Sequence, residues 1–315
     1  DSIFGKKISK KTRVKESLIN IFFTICGATA LVFIILIFIF LFREGIKALI
    51  HIGILDFIFS NKADVITKEL TRVFEWYPTS ENARYSLVPL FLGSLLTAIP
   101  ATIISTIFGV ASGIYLSEIA NPKFKEFLKP AIELFAAIPT VVLGFFMLVV
   151  GATFFDNLFH PTTRLNAFIA SIGLSFVIIP IIASLTEDAL RTIPTEIRMA
   201  SYGLGATKWQ TISKVIIPAA ASGVSASIIL GFGRAIGETM IVLMASGNAA
   251  NITFDIFKSV RTMTATIAAE MGEVPQGSDH YYALFFIGMV LFIITFILNL
   301  IVEVIINKMR KKNSF

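Results

Sequence analysis

Between residues 18 and 42 the chain carries no charged side chain, and five further stretches follow the same pattern. Residues 87–116, 134–155, 165–186 and 281–302 are also free of charge, while 215–254 holds only Arg234 and Glu238. A helix needs roughly 20 apolar residues to cross a bilayer, and every stretch reaches that length. Lipid offers no partner to an open backbone, so the spanning segments must be helices or a closed barrel. A helical protein folded in water would spread charge around its helices and keep one apolar stripe. Only 15% of the residues are charged, where about 25% is usual for a water-soluble domain. The sequence therefore predicts an all-α integral membrane protein with six transmembrane helices.

Lysine and arginine set the orientation, because short cytoplasmic loops hold the excess of positive charge. With the N-terminus inside, segments 1–17, 117–133, 187–214 and 303–315 carry 17 basic residues, against nine in 43–86, 156–164 and 255–280. Both termini are expected in the cytoplasm. The net charge of +6 then reflects topology, not nucleic-acid binding. The run KKISKKTRVK resembles the start of a signal peptide, but the 25 apolar residues that follow exceed a 7–15 residue signal core. They are expected to remain as the first helix. Cys26, the single cysteine, lies in that helix and reads as a small apolar side chain.

The expected order is a basic N-terminus (1–17), a first helix (18–42), an external segment (43–86), a five-helix core (87–307) and a basic tail (308–315). In the external segment, Trp76, Tyr77 and Tyr85 suit an interfacial aromatic belt, and LDFIF at 55–59 suits packing on the membrane surface or the bundle. Pro139 is expected to kink the third span. Glu187 and Asp188 read as a solvated helix end. Residues 262–271 are too polar to span alone and are expected to dip into the bundle. Glu270, Glu273, Asp279 and His280 lack the recurrent His/Cys spacing of a metal site. No GxxxxGK[ST] phosphate loop occurs, so no nucleotide site is expected in this chain.

The longest inside loop reads RTIPTEIRMASYGLGATKWQTISKVIIP. Ala200 and Ser201 are followed by Gly205 and Ala206, and then by Val215, Ile217 and Pro218. This spacing resembles the EAA loop of ABC importer membrane subunits, with Met199 where that family has glutamate. Small residues, a glycine turn and a second amphipathic segment make a compact element suited to docking in a cleft. The segment 190–218 is therefore expected to couple the chain to an ATPase.

Further motifs in order, PAIELFAAIPTVVLGF, SLTEDALRTIP, GRAIGETM and TMTATIAAEMGE, resemble the PstC family of phosphate-importer permeases over roughly residues 76–307. The resemblance implies a type I ABC importer permease fold in the plasma (inner) membrane of a prokaryote. It also implies a heterodimer with a PstA-like second permease, two PstB-like ATPases and a PstS-like phosphate-binding protein. ATP and Mg2+ would belong to the ATPases, with no cofactor and no catalytic residue in this chain.

Arg234 and Glu238 are the anomaly within the apolar series. Arginine at a helix centre costs about 2.5–3.5 kcal/mol on insertion scales. At i and i+4 the two would share a helix face. One reading is a salt bridge that neutralises both and pins helices. The other, strengthened by the resemblance, puts Arg234 in an aqueous pathway, where its planar donors match phosphate oxygens, with Glu238 restraining it. Gly233 and Gly237 have small-xxx-small spacing and are expected to allow close helix approach. A permease for another oxyanion (sulfate, molybdate or a phosphonate) and a stand-alone secondary transporter are the competing functions.

Overall fold

The computed structural model describes residues 10–63 and 70–313. The basic terminal segments 1–17 and 308–315 lie wholly or partly outside the described residues. The first helix, α1 (Lys10–His51), is 42 residues long. At 1.5 Å per residue it is about twice the length needed for a hydrocarbon core of ~30 Å. It runs past the expected end at Phe42 because the charges that follow are accommodated. Glu44 is buried yet paired with Lys47 at 2.8 Å, and Gly45 lets the backbone approach Phe285 and Met289 of the last helix.

The segment after α1 then folds into two short antiparallel hairpins. Strand β1 (Ser60–Ala63) pairs with β2 (Leu70–Val73), and β3 (Trp76–Tyr77) pairs with β4 (Arg84–Tyr85). Trp76 and Tyr85 do not form a membrane-interface belt. Both are buried with Phe57 of the LDFIF run in a core that also holds Leu284 and Ile287 of the last helix, and only Tyr77 is exposed. The reason is that Trp76 finds a buried partner for its indole N–H, which donates to Glu270 at 3.1 Å. Burial raises the Tyr85 phenol above its ordinary range, with a smaller contribution from Asp279.

Helix α2 (Val88–Ile114) ends in a π turn, Tyr115–Ile119. Its buried face is a line of small residues: Gly93, Ser94, Thr97, Ala98, Ala101, Ser105, Gly109 and Gly113. These let it lie close against α6, introduced below, since small side chains permit backbones to approach within a membrane. A Cβ on Gly109 would strike Ile182, and one on Gly113 would strike Thr186. Ser171 donates to the Thr97 carbonyl at 3.0 Å across the same seam.

The expected span 134–155 is displaced. A separate helix, α3 (Pro122–Ala136), precedes a break at 137–139, and the span proper is α4 (Thr140–Phe146), a π turn (Met147–Gly151) and α5 (Ala152–Phe159). Pro139 has no N–H to continue the earlier helix, so it starts a new one instead of kinking an existing one. Helix α6 (Ala167–Arg191) follows, then α7 (Thr195–Gly203), α8 (Lys208–Thr211), a π turn (Ile212–Ile216) and α9 (Ile217–Ala219). Next come α10 (Ala221–Gly237), α11 (Met240–Ala245), α12 (Met263–Glu270) and α13 (Asp279–Asn313). Five helices among the described residues are long and apolar enough to span, and six if the pair Lys208–Ala219 and Ala221–Gly237, bent by 69°, counts as one. Helix α12 dips into the bundle, with Met263, Thr264, Ala265 and Thr266 buried.

Glu187 is not solvated. Its side chain is fully buried near the end of α6, with Lys125 at 2.8 Å, Lys129 at 3.0 Å and Arg191 at 3.6 Å. None of the residues of α3 is itself fully buried, so these ion pairs are a main attachment of that helix. The hydrogen bond to Glu187 holds the Lys129 ammonium charged above its ordinary range. Replacing both Lys125 and Lys129 by Met is expected to leave the buried carboxylate with Arg191 alone and to cost about 3 kcal/mol. Adding Glu187→Leu should recover most of that loss. Unfolding of the detergent-solubilised protein measures both, and an unchanged double variant would contradict the attachment.

Candidate translocation and coupling sites

The stretch 215–254 is not one helix. It bends after Ala219, and α10 stops at Gly237. Glu238 is extended (φ −71°, ψ 136°), and α11 starts two residues later. Arg234 and Glu238 therefore do not sit on one face of a continuous helix, although they meet: Nη1 of Arg234 is 2.7 Å from Oε2 of Glu238. The break suits both charges. Arg234 lies in the last turn of α10, where the helix dipole favours a cation. Glu238 accepts the Met240 N–H at 3.2 Å through Oε1, and its carbonyl accepts the Thr264 hydroxyl at 2.7 Å. Helix α12 thus holds the break in place.

The two members of the pair differ in exposure. The Glu238 side chain is 5% exposed and that of Arg234 is 41%. Helix α10 buries Ser227, Gly231 and Ala235 against its neighbours and leaves Leu230, Arg234 and Gly237 open. The open residues recur at i, i+4 and i+7, which places them along one stripe. Gly233 and Gly237 do not perform the expected close packing within this chain: no atom lies within 4 Å of where a Cβ would stand at either. The close approaches on α10 are at Gly223, against Ala189, and Gly231, against Ile182.

The loop after α6 forms a helix–turn–helix. Gly205 (φ +81°) ends α7 in a Schellman turn, with Gly205 N–H donating to Tyr202 and Ala206 N–H to Ser201. Thr207 and Gln210 cap α8 reciprocally. Ser201 is buried by a 2.9 Å hydroxyl contact with Thr211. Ala200 and Pro218 are exposed, and Ala206, Val215 and Ile217 are half-buried. Met199 is 70% exposed, beside Leu204 at 90% and Trp209 at 66%. Three large apolar side chains thus stand outward on the loop.

Arg198 ties this loop to the bundle. Its Nη2 reaches Glu118 in the π turn after α2 at 2.7 Å and the Leu190 carbonyl at 2.9 Å. Sequence reading missed this tie, between residues 80 positions apart, and the pairing of Glu187 with Lys125 and Lys129, 62 and 58 positions away. Glu270, weighed in the sequence only as one of a possible metal-ligating group, instead pairs with Arg261 at 2.7 Å and His280 at 2.8 Å. Among the described residues no group of three or more His, Cys, Asp or Glu could hold a metal ion.

The family described as "Binding-protein-dependent transport system inner membrane component" matches residues 105–311. The chain belongs to this family. A probable ABC transporter permease protein, YqgH of Bacillus subtilis, is 35% identical over 235 residues, covering 75% of this chain and 76% of that protein. The phosphate transport system permease protein PstC of Mesorhizobium japonicum is 32% identical, covering 71% and 73%. PstC of Haemophilus influenzae is 31% identical, covering 75% and 80%. Among solved structures, the inward-facing MetNI methionine ABC transporter superposes with a TM-score of 0.57 at 21% identity, covering 71% of this chain and 95% of that one. That likeness shows the fold, a type I importer permease.

This permease is a multi-pass inner-membrane subunit of an ABC importer, a transport component and not an enzyme. Membership of that class implies ATPase subunits and a binding protein as partners.

Proposed function

We propose that this permease carries inorganic phosphate into the cytoplasm of a prokaryote by ATP-driven alternating access. The observation that carries the reading is Arg234, a guanidinium on the open stripe of α10 whose one carboxylate partner is anchored at a helix break. A cation with an exposed side offers paired, planar donors to a tetrahedral oxyanion. Glu238, fixed by Met240 and Thr264, restrains the guanidinium and opposes too tight a hold on an anion that must leave again. The PstC relatives favour phosphate over other oxyanions.

A PstA-like permease would face the open stripe of α10 in a heterodimer, and the space beside Gly233 and Gly237 suits an approach by that second subunit. Two PstB-like ATPases would hydrolyse Mg2+-ATP below, one of them receiving loop 190–218. A PstS-like protein would deliver phosphate from outside. Arg198 would pass movement of the loop to α2 and α6 through Glu118 and Leu190.

The test is to purify the complex, identify its subunits by mass spectrometry and measure ATP hydrolysis with the loaded binding protein. Phosphate-loaded binding protein should raise the rate several-fold, with sulfate and molybdate inert. Equal stimulation by sulfate, or a chain that purifies and transports without an ATPase, would overturn the reading.

A further inference from the structure

Helix α3 (Pro122–Ala136) has no fully buried residue. At 3.6 residues per turn, Phe124, Phe127, Leu128, Ala131, Leu134 and Phe135 share one face. That face is open. Phe127 is 71% exposed and Leu134 69%, and Phe124 and Phe135 are exposed as well, although Phe124 meets Tyr115 edge-on. The charges are sorted around it. Lys123 borders the apolar face on one side and Lys125 on the other, with Lys129 beyond Lys125. Glu126 and Glu133, both exposed, lie opposite. Lys125 and Lys129 are held by Glu187 of α6, which fixes how α3 is rolled about its own axis.

What covers this face follows from its composition and its place. With 15 residues, α3 is about 22 Å long, too short to cross a hydrocarbon core of ~30 Å. It joins the end of one spanning segment, Val88–Ile119, to the start of the next, Thr140–Phe159. Both its ends therefore sit where spanning helices enter or leave the bilayer. Where helix packs on helix in this chain the seam is built of small residues, as on the buried face of α2. The open face of α3 has instead three phenylalanines and two leucines to one alanine, with no polar side-chain atom to meet a protein partner. A protein approaching from the water would meet Glu126 and Glu133 first. A helix with one aromatic, apolar face and charge on the other lies in the plane of the membrane interface. Lysines at the border of such a face lay their stems on the apolar surface and keep their ammonium groups in the polar layer.

We propose that α3 lies along the bilayer surface, with its apolar face seated in the acyl chains and Lys123 at the phosphates of the headgroups. The occupant of the face is lipid, not a second protein. The leaflet is the one at the end of the bundle that carries loop 190–218, because Glu118, four residues before α3, is the residue that Arg198 of that loop grips. Seated this way, α3 ties Glu187, and through it the end of α6, to the membrane surface. The inference needs only that the chain spans a membrane and is independent of the solute it carries.

The test uses the assembled complex in nanodiscs of phosphatidylethanolamine and phosphatidylglycerol. Nitroxide labels are placed at Phe127→Cys and Leu134→Cys on the apolar face and at Glu126→Cys and Glu133→Cys opposite, each in a Cys26→Ala background. They report collision with oxygen, which partitions into lipid, and with a nickel chelate, which stays in water. The oxygen-to-nickel ratio should be at least about five-fold higher at 127 and 134 than at 126 and 133. A second measurement leaves α3 unaltered: a phospholipid with a diazirine near the head of one acyl chain should label the peptide that contains Phe127. Labels at 127 and 134 shielded from both reagents would mean that a protein covers the face, and equal nickel access at all four positions would mean that it stands in water. Either result, or a lipid probe that labels α1 but not the Phe127 peptide, would overturn the proposal.

Discussion

Arg234→Ala is expected to reduce phosphate uptake about 100-fold while the complex still assembles. Hydrogen bonds to charged groups contribute up to ~3 kcal/mol, and each 1.4 kcal/mol is a factor of about ten. Assembly should survive because Glu238 keeps the Met240 N–H, and the space vacated by a 41% exposed side chain opens to solvent. Arg234→Lys should also lose most uptake, since one ammonium cannot reproduce a planar two-pronged contact. If the pair only neutralises charge, the outcome differs. The single variant would then strand Glu238 and fail to assemble at a cost of about 3–5 kcal/mol. Replacing both residues by Ala would restore assembly and uptake together. An assembled but inactive double variant supports the pathway role, and near-normal uptake in it would sink that role.

Gly205→Val is expected to separate ATP hydrolysis from uptake. At φ +81° an L-residue costs about 1–2 kcal/mol, and a β-branched one is a genuine outlier. The cost falls on the backbone alone, because nothing lies within 4 Å of a Cβ at this position. The Schellman turn would reopen and move Leu204 relative to Trp209, two outward apolar residues that the proposed function docks on the ATPase. Uptake should fall at least about ten-fold, with hydrolysis either lost or no longer stimulated by the binding protein. Gly205→Asn should be milder, since Asn tolerates the left-handed region. Equal loss in Asn and Val variants would mean that crowding of the partner, not turn geometry, is responsible. Normal uptake in Gly205→Val would count against the docking role.

The apolar stretches made the spanning helices legible, because length and absence of charge report directly on what lipid requires. They could not show where a span breaks. The run 134–155 is apolar throughout, so the join between α3 and α4 at 137–139 leaves no trace in hydropathy, and Pro139 was compatible with either a kink or a start. The break at Glu238 was hidden in the same way. The i and i+4 spacing suggested one helical face, whereas the carboxylate reaches Arg234 from an extended residue. Trp76 and Glu187 were misread for a shared reason. Each is polar at an expected boundary, and each is buried by a partner far away in sequence, Glu270 in one case and Lys125 with Lys129 in the other. The turn at Gly205 was legible because its signal is local.

The central claim is best tested by reconstituting the purified complex in proteoliposomes with ATP supplied at the ATPase side. The binding protein and radiolabelled phosphate are supplied at the other, and accumulation is followed over time. The account predicts ATP-dependent accumulation of phosphate that excess unlabelled phosphate abolishes, excess sulfate leaves unchanged, and Arg234→Ala lowers about 100-fold. Accumulation that persists without ATP, or that sulfate suppresses as well as phosphate does, would contradict it.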